Sequence, residues 1–596
     1  PTLFNVTLIG LGAELPDNVK ISVYADDICI WASGVTRPQM RARLQQATSI
    51  TSKYLRRQGL QLSTAKCAAL AFTRKSMTRY PIFADGAVIP AVTHYRYLGV
   101  VIDRNLSWSK HVTALRTKLS SFVDVLRVVA GLRWGPSEKS LLQLYQALFV
   151  GYLRYSAPVL SRMRTTCIRT LKSLQARALR TCLGLPRCTT TSGTIEESRT
   201  YPIEVYTSCE SLRIHLRLLT RHAHHHLSSL PTNRPGCAYS ECINTHRSAI
   251  PLGFAPTEIP EVPLWTLRKP LVCLKIPGVP KKSRVPCAGL KQLTLAYLTE
   301  TYNDSIHVYT DGSVTPCSST AAFVVPQLDI SRQYRLDHNS SSTAAELVAI
   351  REAVRFVSDQ APRKWTILSD AKSALQALNS CSRRGQYYVL ASEIIQAFDI
   401  TQRNGHSVIF QWVPGHCGLA GNVLADDAAK TALDNNAILV NIPYSRNDVN
   451  FLLRSLMRKF TTTYWSQPDN RHRRLRETDL NMTFRLPAKI KRHHASLLHR
   501  IRLGVAFTRR YAHLIGRVDS PNCERCPVVE TLTHLLCDCP LYVSQRKMLV
   551  SALAGIGVNT LSETNILSAM SDQTASRTAT RALIDFMKNT GLDSRL

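Results

Sequence analysis

Residues 305–313 read SIHVYTDGS, 342–357 STAAELVAIREAVRFV, 365–375 WTILSDAKSAL and 408–433 VIFQWVPGHCGLAGNVLADDAAKTAL; these four stretches decide the fold. The first is a run of strand formers ending in an acid and a glycine, which predicts Asp311 at the end of a strand. In the second, Ala344, Leu347, Ile350, Val354 and Val357 keep helical spacing, so Glu346 is expected one turn inside a helix. The third predicts a strand ending near Asp370 and leading into a helix; the fourth predicts a strand, a loop with His416 and a helix holding Asp426. Taken singly, each acid has an ordinary explanation: a turn acid at Asp311, a solvated first-turn acid at Glu346, a helix cap at Asp370, a surface pair of Asp426 with Asp427. Coincidence does not account for all four in this order.

The surrounding chain is strongly basic. Over 596 residues, 75 Lys+Arg against 41 Asp+Glu give +34, a charge that gathers phosphate backbones and makes nucleic acid the default partner. Residues 104–187 hold 15 basic and 2 acidic residues and 451–520 hold 16 and 4, whereas 304–436 hold 11 and 13. Acids concentrated inside a nucleic-acid binder repel one another and the substrate unless a cation joins them. No stretch approaches the roughly 18 uninterrupted apolar residues a membrane helix needs. Seventeen cysteines, an odd number with no secretory signal, point to reduced thiols in a cytosolic or nuclear setting.

The ordered set Asp311, Glu346, Asp370, His416 and Asp426 resembles the RNase H family over the whole of 304–436. That resemblance implies a mixed five-stranded sheet with helices and two Mg²⁺ ions held by the four carboxylates. Asp311 would bridge both ions, Glu346 and Asp370 complete one site, Asp426 help complete the other, and His416 assist proton transfer or product release. The implied substrate is the RNA strand of an RNA–DNA hybrid, marked by its 2′-hydroxyl. The chain departs from the family pattern at Val423, where an acid is usual, and at Thr315-Pro316-Cys317-Ser318, where glycines are usual.

Upstream, ISVYADDICIW at 21–31 predicts a hairpin with Asp26 and Asp27 at its turn, an oxygen-rich pair suited to Mg²⁺ that is also held by phosphates. From Tyr24 onward the chain resembles the reverse transcriptases of non-LTR retrotransposons, through GLQLSTAKCAALAF at 59–72, the Asp85-Gly86 turn and YRYLGVVID at 95–103. The resemblance implies a truncated palm over 1–103 and a basic helical thumb or connection over 104–190 that grips a duplex. Only 23 residues precede Tyr24 and none is an acid in a strand context, so the further upstream Asp is missing and no DNA synthesis by this chain alone is expected. The start at Pro1 reads as a piece of a longer product.

Proline at 231, 235, 251, 256, 260, 263, 270, 277, 280 and 286 predicts an irregular connector over 191–303. Within it, Cys237 with Cys242 and the histidines at 224–226 lack the second half of a metal site, and the basic run 281–284 is too short for a nuclear address. In the tail, 437–596, RHRRLRETDL and KIKRHHASLLHRIRLGVAFTRR set Arg and Lys among Leu and Ile at helical intervals, one face to pack and one to bind phosphate. CERCPVVETLTHLLCDCPLY follows, where Cys523, Cys526 and His534 with Cys539 or Cys537 supply a tetrahedral Zn²⁺ set. Cys539-Pro540 resembles the Cys-Cys-His-Cys end of the same retroelements, which selects Cys539 and implies a knuckle over 523–540 that binds template RNA or target DNA. The expected fold is multi-domain α/β, and the expected function is cleavage of RNA in hybrids; the competing expectation is a non-catalytic, nucleic-acid-binding remnant.

Overall fold

A computed structural model describes residues 2–73, 80–131, 134–160, 164–219, 238–251, 262–279, 285–381, 385–433 and 437–596. They form two compact units, one of residues 1–208 with 461–596 and one of residues 209–460. Among the described residues no helix is long and apolar enough to cross a membrane.

The 209–460 unit is built on a sheet in the order Ile438–Val440, Ile330–Leu336, Ser319–Val325, Ile306–Val314, Lys364–Ser369, Ser407–Trp412, Leu271–Cys273. Ile306–Val314, Ser319–Val325 and Ile330–Leu336 form an antiparallel meander, and Lys364–Ser369, Ser407–Trp412 and Leu271–Cys273 extend it in parallel. Parallel neighbours require crossover connections, which the helices Ser342–Ser358 and Tyr388–Arg403 provide. Side chains alternate between faces: Val308, Phe323, Ile367 and Phe410 pack with Leu347, Ile350 and Val354, while Tyr309, Val324, Leu368 and Val413 pack with Leu290, Leu298 and Ala425. Both faces are covered, which is why the central strands read as nearly continuous apolar runs.

Two expectations are corrected. The sheet has seven strands, not five, because Leu271–Cys273 and Ile438–Val440 add an edge on each side. Three-residue strands are too short for an alternating pattern to announce them. Nor is 191–303 irregular throughout, since it holds the helices Thr191–Glu197, Ile203–Leu219, Ala238–Thr245 and Cys287–Tyr302. The prolines punctuate rather than dissolve this structure; Pro286 stands immediately before the Cys287–Tyr302 helix, where a missing N–H breaks no helical bond. The prolines at 231, 235, 256, 260 and 280, Cys237, the 224–226 histidines and the 281–284 run lie outside the described residues.

In the other unit, the basic helices and the basic tail pack together rather than forming separate arms. The helix Thr165–Leu183 ends with carbonyls that lack helical donors. Arg492 donates to Thr181 O at 3.0 Å and Cys182 O at 3.1 Å, Ser496 to Leu183 O at 2.9 Å and Arg500 to Gly184 O at 2.9 Å, so one helix, Arg492–Leu503, caps another. Arg502, fully buried, reaches Glu197 at 2.8 Å and Asp479 at 2.7 Å and lies over the Phe484 ring. His499 bridges Glu197 at 2.8 Å and Glu138 at 2.9 Å. The expectation that this run's cations face phosphate is therefore corrected for Arg492, Arg500 and Arg502, whose guanidinium groups hold the fold.

Candidate active site

Asp311 lies in the Ile306–Val314 strand, opposite Ala322, and the strand runs on past it instead of ending there. Ser341 caps the Ser342–Ser358 helix, its side chain accepting from Ala344 N, and Glu346 follows in the helix's first turns. Strand and helix meet closely because residue 312 is glycine: a Cβ there would stand 2.5 Å from Glu346 N. Asp370 directly follows the Lys364–Ser369 strand, where Trp412 Nε1 donates to its backbone carbonyl at 3.2 Å. Gly415 gives its carboxylate room, since a Cβ there would be 2.1 Å from Asp370 Oδ2. Ligand atoms of Asp311, Glu346 and Asp370 all lie within 4.8 Å of one another.

Asp426 stands outside that trio. It sits on the Ala420–Thr431 helix, held at 2.7 Å by Lys430 one turn later. Its charge is still felt, because burial first, then Asp370 and Asp426, pushes Asp311 up to about 7 against an opposing pull from Lys430. Burial, followed by Asp311 and Asp370, raises Glu346 well above the usual carboxylate range, although the Gly312 N–H favours its charged form. Glu346 Oε2 is buried with no hydrogen-bond partner among the described residues. His416 is exposed on the loop between the Ser407–Trp412 strand and the Ala420–Thr431 helix, with φ at 55°. Crowded, desolvated carboxylates with an unpartnered oxygen are what a divalent cation relieves, so the residues fit one. Sequence reasoning missed Lys430 and the close approaches at Gly312 and Gly415; only the glycine after Asp311 was a visible signal.

Residues 303–434 match the family model described as RNase H, and residues 1–102 match the model described as reverse transcriptase (RNA-dependent DNA polymerase). The RNA-directed DNA polymerase from mobile element jockey of Drosophila funebris is 23% identical over 31% of this chain and 21% of its own length. The Retrovirus-related Pol polyprotein from type-1 retrotransposable element R1 of Nasonia vitripennis is 26% identical over 32% of this chain and 59% of its own. The two family models and these relatives support a non-LTR retrotransposon polyprotein. The chain spans between about a fifth and three fifths of the length of these two relatives. A solved RNase H1 from Halobacterium salinarum is 19% identical over 22% of this chain and 98% of its own, with a TM-score of 0.19.

Elsewhere in this polyprotein chain, Val19–Tyr24 and Asp27–Ala32 pair as a hairpin that turns tightly at Ala25-Asp26, with Ala25 at a φ of 51°. Asp26 and Asp27 are exposed at its tip. In the tail, ligand atoms of Cys523, Cys526, His534 and Cys539 lie within 4.8 Å of one another. Cys526 Sγ is 3.9 Å from Cys539 Sγ, and buried His534 Nε2 has no partner among the described residues. Cys539 is fully buried in this group, while Cys537 lies outside it. An unpartnered imidazole nitrogen facing three thiols fits a tetrahedral metal.

Proposed function

We propose that the chain cleaves the RNA strand of RNA–DNA hybrids with two Mg²⁺ ions, as the RNase H part of a retrotransposon reverse transcriptase. The observation that carries this reading is the convergence of Asp311, Glu346 and Asp370 around the unpartnered Glu346 Oε2. When bound, Mg²⁺ supplies an activated water for in-line attack on phosphorus and charge to stabilise the leaving 3′-oxygen. Asp311 would hold both ions, Glu346 and Asp370 would complete one site, and Asp426 would complete the other on leaving Lys430. His416, exposed on its loop, would assist proton transfer or product release. A net charge of +34 over the chain reconciles a carboxylate site with a negatively charged substrate.

By the same reading, residues 1–103 act as palm with Asp26 and Asp27 at its tip, 104–190 as thumb, 304–436 as nuclease, and 437–596 as a basic tail. Cys523, Cys526, His534 and Cys539 hold Zn²⁺ in a knuckle over 523–540 that binds template RNA or target DNA. The second reading is a nucleic-acid binder without turnover, favoured by the pairing of Asp426 with Lys430. A gel assay with end-labelled RNA–DNA hybrid and Mg²⁺ separates the two: cleavage by the chain that vanishes in Asp370→Asn supports the nuclease, and tight binding without cleavage sinks it.

A further inference from the structure

We infer that Asn422 is a positioning residue of the carboxylate site, its side-chain amide fixing Asp370 for cation binding; the inference rests on the metal-dependent nuclease reading above. Asn422 is 5% exposed and sits one turn before Asp426 on the Ala420–Thr431 helix, so the two share a helix face. Its Nδ2 faces Asp370 Oδ2 at 3.4 Å. An ionised carboxylate only accepts hydrogen bonds, which fixes the orientation of the amide. Among the described residues no other side chain donates to that carboxylate, whereas the Asp370 backbone is secured separately by Trp412.

The opposite end of the amide is not held by the fold. Asn422 Oδ1 is buried and has no hydrogen-bond partner among the described residues. The large majority of buried side-chain polar atoms have a partner. Helix capping does not explain Asn422 either, since the N-cap position is Leu419 and no side chain caps there. The one side-chain hydrogen bond of Asn422 among the described residues therefore goes to Asp370. The 3.4 Å separation is long for this bond and leaves it room to tighten.

The test titrates Mn²⁺ into the full chain by calorimetry, with the cysteine cluster first loaded with zinc and no nucleic acid present. Asn422→Leu keeps side-chain volume and removes both ends of the amide. It is expected to bind Mn²⁺ about 10- to 100-fold more weakly, with an unchanged or raised Tm because the unpaired Oδ1 is gone. Hybrid cleavage falls in kcat by a similar factor with KM within about twofold. Asn422→Gln, which retains an amide, recovers part of the affinity. Should the leucine variant fail to fold, Asn422→Ala carries the same comparison. Mn²⁺ affinity within twofold of the parent in either variant overturns the inference, as does affinity loss fully accounted for by a lowered Tm. A parent chain that binds Mn²⁺ yet does not cleave hybrid defeats the nuclease reading and leaves Asn422 to be judged on affinity alone; a parent that binds no Mn²⁺ defeats both.

Discussion

Replacing Arg502 with Met should weaken the 1–208/461–596 unit without weakening its hold on nucleic acid, against what the residue's place in a basic run suggests. The side chain has no exposed surface and bonds Glu197 at 2.8 Å, Asp479 at 2.7 Å and Ser571 Oγ at 3.0 Å. Breaking a buried pair from one side typically costs about 3–5 kcal/mol, because the remaining charge stays desolvated. Glu197 keeps His499 and Asp479 keeps Arg199, which places Arg502→Met near the lower end, about 3 kcal/mol. Hydrogen exchange reads this directly. At about 1.4 kcal/mol per tenfold, amides of Thr191–Glu197 and Arg492–Leu503 that open with the unit should exchange roughly a hundredfold faster. The salt dependence of RNA–DNA binding should keep its slope, since a side chain out of contact with solvent releases no counterion, whereas removing a phosphate contact lowers the slope by about 0.9. Exposed Arg510 is the comparison, and Arg510→Ala is expected to show that smaller slope with unchanged exchange. Native exchange in Arg502→Met together with a reduced salt slope would refute the structural assignment.

The same cluster sets a pH window. Burial raises Glu197, but Arg502 and His499 outweigh it and bring it down to about 2 from 4.5; burial lowers His499, but Glu138 and Glu197 bring it up to about 9 from 6.5. The Glu197 contribution is complete above pH 4.5 and lost toward 2, and that of His499 is complete below 6.5 and lost as pH rises through 9, so protection of Arg492–Leu503, corrected for intrinsic exchange, should peak between 4.5 and 6.5; a maximum above pH 8 contradicts this. Lys430→Met frees Asp426 and should lower the Mg²⁺ concentration for half-maximal hybrid cleavage several-fold, and an increase would count against the proposed hand-over. Glu346→Gln should abolish cleavage while raising the Tm measured in EDTA, because burial, Asp311 and Asp370 disfavour the charged form of this carboxyl and Gln carries no such penalty; a lowered Tm argues against like-charge strain. Cys526→Ser should reduce zinc content from about one to near zero per chain by atomic absorption and expose 523–540 to protease, with cleavage retained; full zinc content would remove the knuckle.

The strand and helix formers around Asp311, Glu346 and Asp370 were legible because each lies in an element with its own periodicity, and the apolar positions of 342–357 all turned inward as their spacing required. The edge strands Leu271–Cys273 and Ile438–Val440 were not, since three residues carry no period and their pairing depends on partners far along the chain. Charge misled for a related reason. Composition counts Arg492, Arg500 and Arg502 as three equal cations, yet two cap carbonyls and the third neutralises buried acids, and all of those partners are remote in sequence except Asp479. Near the acids, Asp426 reads as the equal of the other three, while a lysine four residues away pairs with it, a contact the helical spacing offered and the motif obscured. Motifs thus identify which groups are available for chemistry, while local ion pairs decide which of them are free to take it up. The Asp426–Lys430 contact joins the two descriptions, because the helical spacing that presents the fourth carboxylate also presents it with a cation.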